Sequence, residues 1–528
     1  MADKKKPSAV SERLSGILVH PVSFPSPYGI GDLGPGAYEF IDYLKGSGQH
    51  LWQVLPIGPT GFGDSPYQGP SAFAGQTLLI SPQKLVEMNL LTWEDLNDAP
   101  QSDPHRIDYG PAIEFKNKVL RRAYASFREN PDGALKKKFD AFCTAQGYWL
   151  EDYSLFMALK DEAEGRCWLD WDEDLRSLTA AVRKKKEQEL ADEIRYYRFI
   201  QFLFEIQWDA LRDYAHEADI KIIGDIPIFV AIDSCDVWAN KKFFQLDSKG
   251  FPTAVAGVPP DYFSATGQLW GNPLYDWDAM EKDNYSWWTA RVRRQLELTD
   301  ILRIDHFRGF ESYWSIPADE ETAINGKWIP GPGPKLFNSL KKQLGDDLPI
   351  IAEDLGIITP EVEALRDKFG FPGMKVLQFG FENMQDEIYI PHFYETTNCI
   401  CYTGTHDNDT TMGWYENLPE EAKDRIRRYG NTSGQSVSLD FIRFAFASVA
   451  RYAIFPIQDL LVMGSDARMN RPGVAASNWS FRYTSDQLTD WHRDWLLETT
   501  KLFGRKAIVP KKDPETADDK EDAAQKDA

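Results

Sequence analysis

Four short stretches of this sequence place ionisable side chains directly after apolar runs. They are Gly224-Asp225, Arg303-Ile304-Asp305-His306-Phe307-Arg308, Ala352-Glu353-Asp354 and Thr405-His406-Asp407-Asn408-Asp409. A charge beside a buried segment is costly unless it is paired or put to use. Any one of these acids reads equally well as the cap of a following helix. Four together, two with an adjacent histidine, read better as a single site assembled from several elements. Two chemistries use converging carboxylates and histidines. One is a di-metal hydrolase, with Asp225, Asp305, His306, His406 and Asp407 as ligands. The other is retaining glycoside chemistry, in which one carboxylate attacks the anomeric carbon and a second, its pKa raised, protonates the leaving oxygen. Aromatics favour the second. Sugars present flat C–H faces that pack on rings, and the flanking segments carry Trp52, Phe62, Tyr67, Tyr262, Phe263, Trp270 and Trp414 with few lysines.

The elements that must position such a site recur along the chain. Eight apolar, often β-branched runs each stop at a Gly, Pro or acid and give way to a helical stretch: Gly16–Ser23, His50–Ile57, Ile220–Ile228, Asp300–His306, Pro349–Leu355, Met374–Phe381, Cys399–His406 and Ile454–Val462. Continuous runs suit strands covered on both faces, hence a parallel sheet with helices outside. Eight such units predict an α/β fold, a (β/α)₈ TIM barrel, in which strand ends converge on one mouth. A doubly wound open sheet is the alternative. The spacing is uneven, so the barrel over residues 13–505 is expected to carry a largely helical insertion at about 60–215 and a loop-rich one at about 232–298. In the first, Phe199, Phe202, Leu203, Ile206 and Ala210 recur at helical spacing and predict one buried face.

Composition sets the outer bounds. The 528 residues hold 59 Lys+Arg against 81 Asp+Glu, a formal net charge of −22, which opposes binding to nucleic acid or an anionic membrane. No run approaches the roughly 20 apolar residues of a membrane helix. No apolar segment follows the N-terminal lysines, so no secretory signal is expected. Five sparse cysteines (Cys143, Cys167, Cys235, Cys399, Cys401) suit a reducing compartment, the cytoplasm, or the plastid stroma if a transit peptide has been removed. Residues 1–12 and the charged segment 506–528 read as disordered. With 17 Trp, 22 Tyr and 31 Phe, the chain has more aromatics than a core usually needs.

Other signals are weaker. Gly29-x-Gly31-x-x-Gly34 has the form of a dinucleotide fingerprint, but the next strand lacks the acidic residue expected at its end. Cys399 and Cys401 have no second pair to make a zinc site. The sequons at Asn284, Asn431 and Asn478 mean nothing without secretion. The run KKKEQE is a solvated helix face.

Read together, HPVSFPSPYGIGDLG, QVLPIGPTGFGDSPYQ, GDIPIFVAIDSCDVWA, GVPPDYFSATGQLWGNP, RIDHFRGF, IAEDLG, KVLQFGF, TGTHDNDT and SDARMNRPG resemble, in that order, the 4-α-glucanotransferases (amylomaltases, disproportionating enzymes), relatives of the α-amylases. The resemblance spans about Arg13 to Arg505. It implies that Asp305 is the nucleophile, Glu353 the acid/base and Asp407 the residue that binds and helps distort the sugar at the cleavage point. Arg303, two residues before Asp305 and on the same strand face, would keep the nucleophile ionised. His306, His406, Asp225 and Asn408 would serve the same sugar. The segment bearing Trp270 between Gly267 and Gly271 resembles the family's mobile loop, which covers the site and stacks the acceptor. The GPTGFGDSPYQ loop resembles a remote glucan-contact surface, with Tyr67 and Ser65 as candidates, and Phe62 stands where members often carry Tyr. The implied partners are malto-oligosaccharides and starch- or glycogen-derived glucans, with glucose as acceptor; no cofactor and no metal are expected. An α-glucan hydrolase or a non-catalytic glucan-binding protein are the other readings.

Overall fold

The structure is a computed structural model and describes residues 12–129, 133–260, 264–382, 387–474 and 477–505. Its twelve strands in chain order are β1 (Leu14–Leu18), β2 (Leu51–Gln53), β3 (Lys221–Pro227), β4 (Ala254–Val258), β5 (Gln268–Pro273), β6 (Ile301–Asp305), β7 (Ser312–Pro317), β8 (Lys327–Pro330), β9 (Ile350–Ala352), β10 (Gly373–Val376), β11 (Cys399–Tyr402) and β12 (Tyr452–Pro456). Eight of them form one parallel sheet in the order β10-β11-β12-β1-β2-β3-β6-β9. The Ala352 N–H at the end of β9 donates to the Pro372 carbonyl just before β10 at 3.0 Å, which brings the two edges together. The fold is a (β/α)₈ barrel. Each of the eight predicted runs overlaps one of these strands; β1 and β12 begin two residues ahead of their runs and β10 one residue ahead. The runs Met374–Phe381 and Ile454–Val462 overshoot their strands into the helices Leu377–Glu382 and Ile457–Leu460. Those turns are buried too, so hydropathy alone has no edge there.

Barrel closure requires tight strand spacing, and Gly16 supplies it in β1. A Cβ at that position would lie 2.1 Å from the Leu51 carbonyl oxygen of β2. Outside the sheet, Trp52 of β2 meets Trp208 at 6.0 Å between ring centroids. Trp208 belongs to the 27-residue helix Ala191–Glu217, which leads into β3. That helix buries Phe199, Phe202 and Leu203 as expected, but Ile206 is only half-buried and Ala210 is exposed. Its buried stripe instead runs through Phe204, Gln207, Trp208, Leu211 and Ala215, because the helix is packed against both the barrel and the helices Tyr109–Glu129 and Gly147–Glu162.

The remaining four strands form an antiparallel sheet, β5-β4-β7-β8. Val255 pairs with Ile316, and Trp314 with Trp328. This sheet joins the segment before β6 to the one after it, so the loop-rich excursion is completed by residues 312–330, beyond the expected limit of 298. Among the described residues, no helix is long and apolar enough to cross a membrane.

Candidate active site

At the C-terminal end of β6, Asp305 and Arg303 project from the same strand face. Arg303 is held in a fork: its Nη2 donates to Asp305 Oδ1 at 2.7 Å and its Nη1 to Asp225 Oδ2 at 2.6 Å. Asp225 is the β3 residue in direct register with Arg303. Burial pushes the Asp225 carboxyl up to about 6, against the pull of the Arg303 charge. Burial also works against the Arg303 charge, yet Asp225 and Asp305 hold its pKa well above the usual value. The guanidinium is therefore a fixed cation between two acids, and it faces the carboxylate that must remain ionised to attack carbon.

Glu353 immediately follows β9 and is 8% exposed. Its Oε2 accepts the His306 N–H at 2.7 Å and its Oε1 the Leu355 N–H at 2.8 Å. Despite these donors, burial first and the neighbouring Asp305 charge second raise its carboxyl to about 8. Two carboxyls on adjacent strands thus sit in different surroundings: Asp305 lies beside a guanidinium, and burial makes Glu353 keep its proton at neutral pH. That division is what an acid and a nucleophile require.

His306 takes the left-handed backbone conformation at φ 55°, which turns its N–H toward Glu353. Its ring meets Trp270 edge to face at 4.9 Å. Burial lowers its pKa to about 4, and its buried Nε2 has no hydrogen-bond partner among the described residues. A neutral imidazole with a free nitrogen in a cleft can pair with a sugar hydroxyl. His406 stacks on Tyr67 at 5.3 Å and 11° between planes. The Tyr67 hydroxyl donates to Asp225 Oδ2 at 2.8 Å and lies 2.9 Å from His406 Nε2. Asp407 stays 45% exposed, with Asn470 Nδ2 donating to its Oδ1 at 2.6 Å and Arg468 Nη2 to its carbonyl at 2.5 Å.

Asp305, His306, His406, Asp407 and Asn470 line a cleft of about 430 Å³ together with Phe62, Ser65, Tyr67 and Trp270. The GPTGFGDSPYQ loop is therefore not remote. Tyr67 sits at the floor, bonded to Asp225, and Phe62, 85% exposed, is part of the cleft lining. Ser65 Oγ accepts the Tyr67 N–H at 3.2 Å. Asn408 lies elsewhere. Its Oδ1 accepts both the Thr405 N–H and hydroxyl, at 2.9 and 2.8 Å, and it lines a smaller cavity beside His406 rather than the cleft. Trp52, expected in a flanking loop, is fully buried core, its Nε1 donating to the Val19 carbonyl at 2.9 Å. Trp414 packs on Phe441, away from the cleft lining. Tyr262 and Phe263 lie outside the described residues.

Two groups that hold Asp407 were not anticipated. Asn470 and Arg468 come from SDARMNRPG, a stretch whose polar residues follow β12 with no hydrophobic periodicity to orient them. Asn470 also donates its backbone N–H to the His406 carbonyl at 3.1 Å. Only the three-dimensional return of that loop over THDND shows its use. Among the described residues, no group of three or more His, Cys, Asp or Glu is arranged to hold a metal ion. Asp225 and Asp305 share a guanidinium, which occupies the position a cation would take between them.

A parallel barrel with one carboxyl paired to a guanidinium and a second held protonated by burial, at the mouth beside an aromatic-lined cleft, defines an enzyme that works on glycosidic bonds. The comparisons narrow the class. Residues 19–489 match glycoside hydrolase family 77, the 4-alpha-glucanotransferases. The 4-alpha-glucanotransferase of Synechocystis is 50% identical over 94% of this chain and 99% of its own length. That of Thermus thermophilus is 47% identical over 91% and 96%. The amylomaltase of Streptococcus agalactiae, solved in complex with acarbose, superposes with a TM-score of 0.91 at 39% identity, covering 94% of this chain and all of that one. The chain belongs to the 4-alpha-glucanotransferase family, and its activity is the transfer of α-glucan segments.

Proposed function

We propose that this transfer proceeds by double displacement with retention, through a covalent glycosyl-enzyme on Asp305. Asp305 Oδ attacks the anomeric carbon as the glycosidic C–O bond breaks, and Glu353 gives its proton to the departing 4-oxygen. The acceptor's 4-hydroxyl then attacks the same carbon. Glu353, now a carboxylate, takes the hydroxyl proton, and the Asp305–carbon bond breaks, returning both groups to their starting states. The observation that carries this reading is the fork of Arg303 between Asp225 and Asp305 beside an uncharged Glu353. Asp407, fixed by Asn470, serves the hydroxyls of the sugar at the cleavage point, and His306 and His406 serve the same sugar. Trp270, between two glycines at φ 68° and 77°, covers the glycosyl-enzyme and favours a sugar acceptor over water.

The donors we assign are malto-oligosaccharides and starch- or glycogen-derived chains, with glucose or another glucan as acceptor and no cofactor. We place the enzyme in the cytoplasm, a reading supported by five free cysteine thiols. Incubation with maltotriose and sizing of the products tests the whole scheme. The expected result is glucose together with a ladder of longer chains. Glucose and maltose alone would mean hydrolysis. An Asp305→Ala variant as active as its parent would remove the covalent step.

A further inference from the structure

The THDND segment supplies His406 and Asp407, yet it is a loop, and a loop needs an anchor to hold a catalytic group to within a fraction of an ångström. The anchor stands one helix away. Asp459, in the helix Ile457–Leu460 after β12, is 1% exposed. Its Oδ2 accepts the Thr403 hydroxyl at 2.5 Å and the Thr411 hydroxyl at 2.7 Å, and its Oδ1 accepts the Thr411 N–H at 2.8 Å. Thr403 is the first residue after β11, and Thr411 opens the helix Thr411–Asn417. One buried carboxylate therefore ties the residue that enters the loop to the residue that leaves it. Both threonines are fully buried, so neither has water as an alternative partner.

The rest of the loop is fastened to the same support. Gln378 Nε2 donates to the Asp409 carbonyl at 3.0 Å and to the Thr411 hydroxyl at 3.3 Å, and the Ser465 hydroxyl donates to Asp409 Oδ2 at 2.6 Å. The chain leaving Asp459 continues to Arg468 and Asn470, which hold Asp407 directly. Among the described residues, no cation pairs with Asp459; three protein donors satisfy it, and burial raises its carboxyl to about 6. An acid retained in such a place without a counter-charge is costly, and what that cost secures is geometry.

We propose that Asp459 is a positioning residue for the transfer reaction, setting Asp407 and His406 by pinning both ends of their loop. The inference rests on the assignment of Asp407 to the sugar at the cleavage point. Asp459→Asn keeps the shape but loses the capacity to accept from three donors at once. In maltotriose disproportionation, its kcat is expected to fall by about 10- to 100-fold, the effect of a misplacement near 1 Å, with KM within about threefold. Because Asp459 and Asn470 act on the same carboxylate, combining Asp459→Asn with Asn470→Ala is expected to slow the enzyme little beyond the slower single variant. Thr403→Val, which removes one donor and leaves the carboxylate, gives a second route, with a smaller loss of kcat and the same non-additivity with Asn470→Ala. A kcat within twofold of the parent for both Asp459→Asn and Thr403→Val overturns the proposal. Losses that multiply independently with Asn470→Ala, or that track the fraction of unfolded protein, do the same. An Asn470→Ala enzyme as fast as the parent would instead remove the role given to Asp407 and leave Asp459 as a purely structural acid.

Discussion

Arg303 and Glu353 divide the labour of the site by physical means that can be tested separately. Arg303 reaches Asp225 with one guanidinium nitrogen and Asp305 with another. Lysine has a single charged nitrogen and cannot span both acids in that fork. Arg303→Lys is expected to lower kcat by about 100-fold or more, the scale of losing a preorganised charge contact, measured as initial glucose release from maltotriose. Glu353 is governed by burial. It is protonated below about pH 8, so transfer should decline as pH rises through that value. The same shift has a sign for stability. The unfolded carboxyl titrates at the ordinary 4.5 and the folded one at about 8. Below the lower value both states hold the proton; across the window the unfolded state ionises first, and stability is lost as pH rises through the folded value. Glu353→Gln is neutral in both states. It should abolish most transfer, by about 10²- to 10⁴-fold, while melting higher than the parent at pH 8. That advantage should shrink by about 2 °C or more on going to pH 5. An equal advantage at both pH values would contradict the shift.

At the scale of elements, what was legible depended on how strongly a segment is patterned. The eight barrel strands were readable because each is buried on both faces and forms an unbroken apolar run. Asp305, Glu353, Asp407 and Asp225 point to one site only as a set, since any one acid at the end of such a run could equally cap a helix. The antiparallel sheet was not. Its strands β7 and β8 are short and half-exposed, with tryptophans that pair across the ladder but no apolar run to mark them. In sequence, Tyr67 reads as part of a remote contact surface, since nothing in a Gly- and Pro-rich loop reveals that it folds back onto Asp225. Asn470 and Arg468 stand in SDARMNRPG, which carries part of the resemblance, but nothing in that stretch reveals that they reach Asp407. Strand spacing makes its own prediction. Gly16→Ala would put a methyl 2.1 Å from a main-chain oxygen of β2, an overpacking that no rotamer relieves and that costs ~2–3 kcal/mol. The thermal inactivation half-life should shorten, with kcat per folded molecule unchanged. Trp270 tests the loop that carries it. Trp270→Ala should raise the ratio of hydrolysis to transfer by about fivefold, the equivalent of ~1 kcal/mol of ring contact, read from reducing ends formed per chain transferred.

The whole molecule carries a net charge of −22, yet its substrate class is uncharged, and this separates its electrostatics from its kinetics. Long-range fields accelerate encounter only when the ligand is charged. A neutral glucan gains nothing from the acidic surface and loses nothing to it, so capture falls to aromatic faces and hydroxyl contacts inside the cleft. The ion pair beneath Asp305 is buried, Arg303 being 3% exposed and Asp225 1%, where mobile ions screen it poorly. Raising salt from about 0.01 M to about 1 M shortens the screening length from about 30 Å to about 3 Å. Over that range kcat/KM for maltotriose should change by less than about twofold, because neither encounter nor the buried fork responds to the surface field. A steep fall in kcat/KM with salt would show that the exposed acids assist capture, and the cleft would then have to be redrawn with a charged contact at its mouth.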